Sequence, residues 1–206
     1  MSTETKQHDQ DTRRRILDAA FEEIYLNGYQ GASLNRIIEK SGFTKGALYH
    51  YFKSKKELAL AAISETMSVF LKQYWELPLL KQPDPLSALI SHIKNLPTIV
   101  FEHCKVFEIK HGCPLNNLIQ EMSPIDKDFA RILENHFNDW QDILTEIIEQ
   151  AIAKGQVRKD LNSMDAAMFL LSCLEGCITT AKKSNSMEIF IRCTAQIENY
   201  INSLRA

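Results

Sequence analysis

One stretch constrains the fold of this chain more than any other, the segment SLNRIIEKSGFTKGALYHYFKSKKE that runs from Ser33 to Glu57. Ser33 is a suitable helix N-cap, and the apolar residues that follow it repeat at helical spacing: Leu34, Ile37 and Ile38. Gly42 can adopt the positive φ that a tight turn requires. The first short helix is therefore predicted to end near Ser41.

Two further helix starts follow within the same stretch. Thr44 offers an N-cap for a helix over residues 45–51, and the segment from Ser54 to Glu57 has the S-x-x-E form of a capping box that opens a longer helix. The helix over residues 45–51 carries a lysine, two small residues and three rings, and more lysines follow it directly. These groups suit contact with the phosphate backbone and a groove of DNA better than covalent chemistry.

The segment TKGALYHYFKSKKEL resembles the signature of the tetracycline-repressor (TetR) family of bacterial transcription regulators. With the upstream segment TRRRILDAAFEEIYLNGYQGASLNRIIEKSG, the resemblance covers roughly residues 12–60 and matches the family's DNA-binding domain. It implies an all-α fold of about nine helices, with a helix-turn-helix DNA-binding domain over residues 1–56 and a ligand-binding and dimerisation domain over residues 57–206. It also implies a regulator, expected to be a repressor, that binds a palindromic operator as a homodimer and answers to an unknown small-molecule inducer.

Most of the candidate DNA contacts are expected to hold phosphates. Tyr49, His50 and Lys55 carry hydrogen-bond donors at the second helix and at the start of the next one. Resemblance to the family adds Ser33 and Thr44 as further phosphate contacts. These five residues would fix the register of the protein on the duplex without reading its sequence.

Base reading is expected from the first turn of the second helix. Lys45 is long enough to reach a base edge, and the small residues Gly46 and Ala47 let the helix come close to the groove. Arg13, Arg14 and Arg15 lie at the start of the preceding helix, where they oppose its dipole. A role at phosphates and a solvated basic turn are both open for these arginines.

Charge supports this division, although the net charge of the whole chain is only −2. Residues 1–56 carry ten Lys/Arg and seven Asp/Glu, a net charge of +3, which leaves −5 for residues 57–206. No window approaches the roughly 18 uninterrupted apolar residues of a membrane span, and the N-terminus MSTETKQHDQDTRRR lacks the apolar core of a signal peptide. We therefore expect a cytoplasmic protein with no membrane partner.

The five cysteines are expected to be free thiols, because they form no C-x-x-C pair and their number is odd: Cys104, Cys113, Cys173, Cys177 and Cys193. Two histidine–cysteine groups, at residues 103–104 and 111–113, have the chemistry of zinc ligands. Their spacing matches no standard zinc finger, so we expect neither a metal site nor a cofactor.

Cys113 is the candidate sensor. The segment GCPLNNL resembles the start of a helix in a TetR branch that includes a repressor sensing reactive electrophiles through a cysteine at the corresponding Gly-Cys. A thiol near a helix N-terminus is expected to have a lowered pKa. The alternative is a packed thiol beside a ligand pocket.

Apolar periodicity predicts further helices after residue 57. One continues from Ser54 to about residue 75, the next begins at Pro85 and is kinked or broken near Leu96, and a long one begins at Ser123-Pro124 and ends at Lys154-Gly155. Two more are predicted over residues 164–183 and 187–204. The first of this pair is apolar over most of its circumference, so it is expected to be buried on two sides, in a four-helix dimer interface with its partner copy.

His136 and Trp140, one turn apart on the long helix, are candidates to line the ligand cavity; a core aromatic pair is the alternative. Two rival functions are also open. A thiol hydrolase built from Cys113 with a neighbouring histidine lacks an oxyanion-hole motif and an orienting partner, so we expect no enzyme activity. A helical small-molecule-binding protein without DNA binding, and an activator of the same family, are the remaining alternatives.

Overall fold

The computed structural model describes residues 3–103 and 107–206, which form helices joined by turns, with no strand and one isolated bridge between Val157 and Arg205. The all-α prediction is confirmed. Apart from one short turn of helix at Leu77–Leu79, these residues form nine α-helices: α1 Thr3–Gly31, α2 Leu34–Ser41, α3 Lys45–Tyr51, α4 Lys55–Leu71, α5 Pro85–Leu96, α6 Pro114–Met122, α7 Lys127–Ala153, α8 Ser163–Ser184 and α9 Met187–Ser203. Two of them continue as π-helices, α4 through Lys72–Glu76 and α5 through Pro97–His103.

The chain divides into two compact units. The first, which we call the head unit, comprises Met1–Val69 and Asn117–Leu133, and the second, the body unit, comprises Phe70–Asn116 and Glu134–Ala206. The head unit thus includes α2 and α3 and also draws in a segment from much later in the chain. The predicted functional division at residue 56 stays a prediction.

In the head unit, α1 supplies the core that lies under the two short helices. Its buried residues repeat at helical spacing: Ile16, Leu17, Ala20, Phe21 and Ile24. The regular backbone of the helix is interrupted at Gly28, where φ is 72°. Glycine adopts this left-handed conformation without strain, so it can end the regular part of α1.

The turns around α2 and α3 form as predicted. Gly42 adopts a left-handed backbone with φ 74°, and its N–H donates to the carbonyls of Ile38 and Glu39. Thr44 caps α3 by accepting the N–H of Ala47 at 3.2 Å. These contacts fix a short helix, a tight turn and a second short helix, the arrangement of a helix-turn-helix.

The capping box at the start of α4 is confirmed with one change in detail. Ser54 Oγ accepts the N–H of Glu57 at 3.1 Å, while the Glu57 carboxylate reaches back to the N–H of Lys53, at 2.8 Å, rather than to Ser54 itself. The box therefore ties the chain that leaves α3 to the first turn of α4.

In the body unit, α5 starts as predicted and then changes its geometry at a proline. Asp84 accepts the N–H of Ser87 at 2.9 Å, and Pro85 occupies the first helical position. Pro97 has no N–H to continue the α-helical ladder, and the π-helix begins there. The predicted kink or break near Leu96 takes the form of a change from α-helical to π-helical geometry at Pro97, and the helix is not broken there.

The predicted start of the long helix at Ser123-Pro124 is wrong. Helix α7 begins at Lys127, because Asp126 is the cap: its Oδ1 accepts the N–H groups of Asp128 at 2.9 Å and Phe129 at 3.3 Å. The predicted C-terminal stop is confirmed, since Gly155 has φ 70° just after the helix.

Helix α8 is buried on one side only within the chain. Its inner face is apolar and buried: Ala166, Ala167, Leu170, Leu171 and Leu174. Met164, Met168 and Phe169 lie about half exposed on another face. By length and composition α8 would pass as a membrane span, with mean hydropathy 1.3, although 44% of that window is buried inside the protein. A core helix passes the same test.

Candidate nucleic-acid interface

The outer face of α3 carries the chemistry that the sequence assigned to DNA contact. Lys45, Gly46, Tyr49 and His50 are exposed, and Leu48 between them is buried and anchors the helix. Thr44, at the N-terminus of α3, is also exposed. In a helix-turn-helix the N-terminal residues of the second helix contact base edges, so this end of α3 must be accessible. Ala47 is half-buried.

Position 46 is informative because nothing within the described part of the protein requires a glycine there. A Cβ at Gly46 would meet Thr44 Oγ1 at an ordinary 3.8 Å. Gly46 lies in the first turn of α3, and glycine has a lower helix propensity than alanine, so the helix itself does not favour a glycine there. The space that the missing side chain leaves is thus on the exposed face of α3, where a DNA groove would come close.

Lys45 and Tyr49 form a pair along this face. The Lys45 ammonium lies 5.9 Å from the centre of the Tyr49 ring, one helical turn away, within cation–π range. His50 packs edge-on against Tyr51, with ring centres 5.1 Å apart. The Tyr51 hydroxyl in turn donates to Asp9 Oδ1 at 2.5 Å, which raises the pKa of Tyr51 and ties α3 to α1.

Ser33 lies at the N-cap of α2 with an extended backbone, but its side chain makes no capping hydrogen bond. Its N–H instead donates to Glu23 Oε1 at 3.1 Å, and the same carboxylate is paired with Arg36 at 2.6 Å. Sequence reasoning missed Glu23, which is buried on α1. The sequence indicated this role of Glu23 only by placing a carboxylate on the apolar face of a predicted helix.

Lys55 is held more firmly than a free surface lysine. Its ammonium donates to the carbonyl of Gln30 at 3.3 Å and lies 4.8 Å from the centre of the Tyr29 ring. Burial lowers the pKa of Lys55. An ammonium group has three donors, so this contact leaves donors for a phosphate.

The three arginines of α1 are engaged within the head unit. Arg13 pairs with both carboxylate oxygens of Glu65, and Arg14 pairs with Asp18 at 2.7 Å. Arg15 donates to the carbonyl of Ser41 at 3.0 Å and so braces the turn of the helix-turn-helix. These contacts favour a structural role.

In the body unit, Cys113 is buried just before α6 and does not have the pKa that the sequence predicted. The expected lowering is wrong: burial raises the pKa of this thiol well above its usual value, and the nearby Glu175 carboxylate raises it further. Backbone hydrogen bonds from Leu115 and Asn116 act in the opposite direction, but the cost of desolvating a thiolate is larger.

Glu175 is the residue of the body unit that sequence reasoning overlooked. It is only 8% exposed, neither carboxylate oxygen has a hydrogen-bond partner of good geometry within the described ranges, and burial raises its pKa to about 7. A lone carboxylate on the predicted apolar helix was the available signal. Cys113 and Asn116 lie close enough to lower this pKa slightly.

His136 and Trp140 are both buried. Trp140 packs against Trp75 with ring centres 4.8 Å apart, and Trp75 packs in the same way against His92. The indole nitrogen of Trp140 and both ring nitrogens of His136 lack hydrogen-bond partners among the described residues. Burial lowers the pKa of His136, so the ring is neutral near pH 7.

Cys113, Cys173, Cys177 and Cys193 are free thiols, whereas Cys104 and the side chain of His103 lie outside the described residues. In the part of the chain that the structure describes, no group of three or more His, Cys, Asp or Glu side chains could hold a metal ion. The zinc alternative for residues 103–104 therefore falls on residues that the structure does not describe.

Comparison with known proteins adds family-level evidence. Residues 16–62 match the family model described as bacterial regulatory proteins, tetR family, and residues 90–197 match the one described as tetracyclin repressor-like, C-terminal domain. An uncharacterized HTH-type transcriptional regulator in the lacX 3′ region of Lactococcus lactis subsp. lactis is 30% identical over 179 residues, covering 87% of each chain.

Two solved structures illustrate the shared fold. A transcriptional regulator from Cytophaga hutchinsonii superposes with a TM-score of 0.83 at 19% identity, covering 97% of each chain. The reduced form of E. coli NemR superposes with a TM-score of 0.77 at 18% identity, covering 95% of this chain and 97% of that one.

Proposed function

Because the chain belongs to the TetR family of bacterial transcription regulators, whose members bind operator DNA as dimers, we propose that it is a cytoplasmic repressor of a near-palindromic operator. The observation that carries this proposal is the outer face of α3, where exposed Lys45 and Tyr49 flank a glycine that internal packing does not require. A close approach to DNA gives that glycine a purpose.

In the proposed complex, contacts divide into positioning and reading. Tyr49, His50 and Lys55 hold phosphates, together with the hydroxyls of Ser33 and Thr44, whose positions at the starts of α2 and α3 suit phosphate oxygens. These five residues set the register of the head unit on the duplex.

Reading is assigned to the first turn of α3. Lys45 reaches a base edge, most favourably the O6 and N7 acceptors of guanine, while Gly46 and Ala47 leave room for the groove. Lysine is a flexible point donor, so a single Lys45 contact supplies limited discrimination. DNA shape would add to it.

The second copy is proposed to cover the outer face of α8 and α9. A groove of about 410 Å³ lies between these helices, and its lining includes Phe169, Cys173 and Tyr200. Beside it, Met168 and Ile191 are half exposed. Apolar side chains of this size, on two adjacent helices in a family that acts as dimers, favour a four-helix interface.

The effector site is proposed in the body unit, with Cys113, His136 and Trp140 as its candidate residues. Burial raises the pKa of Cys113, so the thiol must lose its proton before its sulfur attacks an electrophile, and the carboxylate form of Glu175 is the nearby base that can accept that proton. If Cys113→Ser protein still releases DNA on treatment with an electrophile as wild type does, the thiol route is wrong and a noncovalent ligand remains.

The second candidate function is activation of transcription by the same DNA-binding protein, because binding near a promoter can either block or promote transcription. The family consists of DNA-binding regulators, which leaves the hydrolase and the DNA-free binding protein without support. Selection of genomic fragments by the purified protein tests the proposal. Recovered fragments are expected to share two half-sites related by near-twofold symmetry; no enrichment over random fragments would contradict it.

A further inference from the structure

The turn that leads from α1 into α2 is held by a carboxylate from a distant part of the chain. Gly28 breaks the regular backbone of α1, and a new helical turn starts after it, with the N–H of Ala32 donating to the carbonyl of Gly28 at 3.0 Å. The first N–H groups of such a turn have no partner inside it. Glu121 of α6 supplies one: its two oxygens accept the N–H of Tyr29 at 2.9 Å and of Gln30 at 2.8 Å.

Gly28 fits this arrangement in two ways. Its φ of 72° lies in the left-handed region, and a Cβ there would come within 2.7 Å of Glu121 Oε2. The carboxylate thus occupies the place that a side chain at position 28 would take. A negative charge at the start of a helical turn is also favoured by the local dipole.

The turn that Glu121 holds is connected directly to the proposed DNA contacts. The carbonyl of Gln30 accepts from Lys55, and the Lys55 ammonium lies over the Tyr29 ring. Ser33 follows three residues after Gln30, at the start of α2. Movement of this turn would therefore shift two proposed phosphate contacts together.

A second tie from the same part of the chain supports the turn. The Tyr29 ring packs against Phe129, with ring centres 4.6 Å apart. Lys56, at the start of α4, pairs with Asp126 at 2.7 Å and Asp128 at 2.8 Å. The segment 117–133 thus contacts both ends of the helix-turn-helix, which explains why it belongs to the head unit.

We propose that Glu121 is a positioning residue for DNA binding: it holds the turn after Gly28 so that Lys55 and Ser33 can meet phosphates. The proposal rests on the DNA-binding function argued above and assigns part of it to a residue outside the helix-turn-helix.

The test is a double-mutant cycle between Glu121 and Lys55. Operator affinity is measured by fluorescence anisotropy for wild type, Glu121→Ala, Lys55→Ala and the double variant, with Gln120→Ala as the matched control, an exposed residue on the same helix. Glu121→Ala is expected to weaken binding about tenfold, or 1.4 kcal/mol, in the wild-type background and clearly less in the Lys55→Ala background. Gln120→Ala is expected to stay within about twofold of wild type.

Glu121→Gln is carried through the same cycle, since it keeps one acceptor oxygen and is expected to lie between wild type and Glu121→Ala. Circular dichroism melting confirms that each variant is folded at the assay temperature. An equal loss in both backgrounds would show that Glu121 acts independently of Lys55 and would overturn the proposal, as would a Glu121→Ala protein that binds the operator as Gln120→Ala does. Wild-type protein that binds no duplex specifically would instead overturn the DNA-binding function itself.

Discussion

At the scale of single residues, the two lysines that flank the recognition helix differ in their surroundings. Lys45 is exposed on α3 and lies beside the Tyr49 ring of the same helix. Lys55 is half-buried and already bound to the carbonyl of Gln30. The first has the freedom to follow a base edge, and the second has the fixed position of a backbone anchor.

This difference predicts two kinds of effect on affinity. Lys55→Ala should weaken operator and scrambled duplexes by the same factor and lower the slope of log K against log salt by about 1 for each phosphate that a head no longer neutralises. Lys45→Ala should reduce the difference in binding free energy between the operator and the scrambled duplex, by about 1 to 3 kcal/mol for each base that is no longer contacted. Titrations at several salt concentrations measure both, with exposed Lys159→Ala as the control.

If Lys45→Ala lowers both affinities equally, Lys45 holds a phosphate instead. Specificity must then come from elsewhere on the head unit, such as Arg36 or Thr44, or from DNA shape.

Glu175 predicts a pH dependence of stability in the body unit. Burial raises its pKa from 4.5 to about 7, so between these values the folded protein keeps a proton that the unfolded chain has released. Its contribution to stability is therefore present at pH 4.5 and is lost as the pH rises to 7, by an amount on the order of 3 kcal/mol. Glu175→Gln removes this titration while keeping the shape of the side chain.

The free energy of unfolding of Glu175→Gln, relative to that of wild type, should therefore be larger at pH 8 than at pH 5. Urea denaturation at both pH values measures this difference, with exposed Glu134→Gln as the control. His92 also titrates, because burial lowers its pKa to about 4, but it is present in both proteins and cancels. The same stability difference at the two pH values would contradict the account.

At the scale of helices, α8 carries more apolar side chains than the single chain buries. Its inner face packs within the body unit, while Met164, Met168 and Phe169 stay about half exposed. Phe169 also packs against Tyr200 of α9, with ring centres 4.6 Å apart. This face is where a second copy would bury the largest apolar area.

Phe169→Arg should therefore prevent dimerisation. In the dimer the new charge would be buried in an apolar interface, whereas in the monomer it would stay in contact with water. Light scattering at micromolar concentration measures the mass, and Ile125→Arg is the matched control, an exposed apolar residue on the turn between α6 and α7. A Phe169→Arg protein that remains dimeric, or wild type that is monomeric, would refute the α8–α9 interface.

Local signals in the sequence predicted the helices well. Helix caps, left-handed turns and proline interruptions are determined by a few neighbouring residues. The structure accordingly has these features at the residues that favour them: Gly42, Thr44, Asp84 and Pro97. The start of α7 was misplaced because Asp126 and Pro124 are competing signals of similar strength. Sequence alone does not decide between a proline at a first turn and a carboxylate cap two residues later.

Long-range contacts escaped the sequence for a physical reason. Glu121 looks like an ordinary polar residue of an amphipathic helix, and its role depends on Tyr29 and Gln30, which lie about ninety residues earlier. The pKa of Cys113 was predicted from a helix N-terminus, but burial outweighs that dipole. Neither tertiary pairing nor burial depth has a local signature.

At the scale of the whole molecule, a basic N-terminal part and an acidic remainder are combined with the fold of a transcription regulator. The head unit is assembled from two separate parts of the chain, so residues 117–133 pack in the same unit as the helix-turn-helix. The central claim is that α3 of this unit reads a DNA groove at close range.

The most direct measurement of that claim is a titration of the selected operator and a scrambled duplex with wild-type and Gly46→Leu protein. Position 46 is exposed, and the Cβ of a leucine there would make only an ordinary contact with Thr44 Oγ1; because leucine has a higher helix propensity than glycine, the melting temperature should be equal or higher. Gln120→Leu, which places the same side chain on α6, serves as the control. The account predicts that Gly46→Leu loses its preference for the operator while the control keeps it; a Gly46→Leu protein that discriminates between the duplexes as wild type does would contradict it.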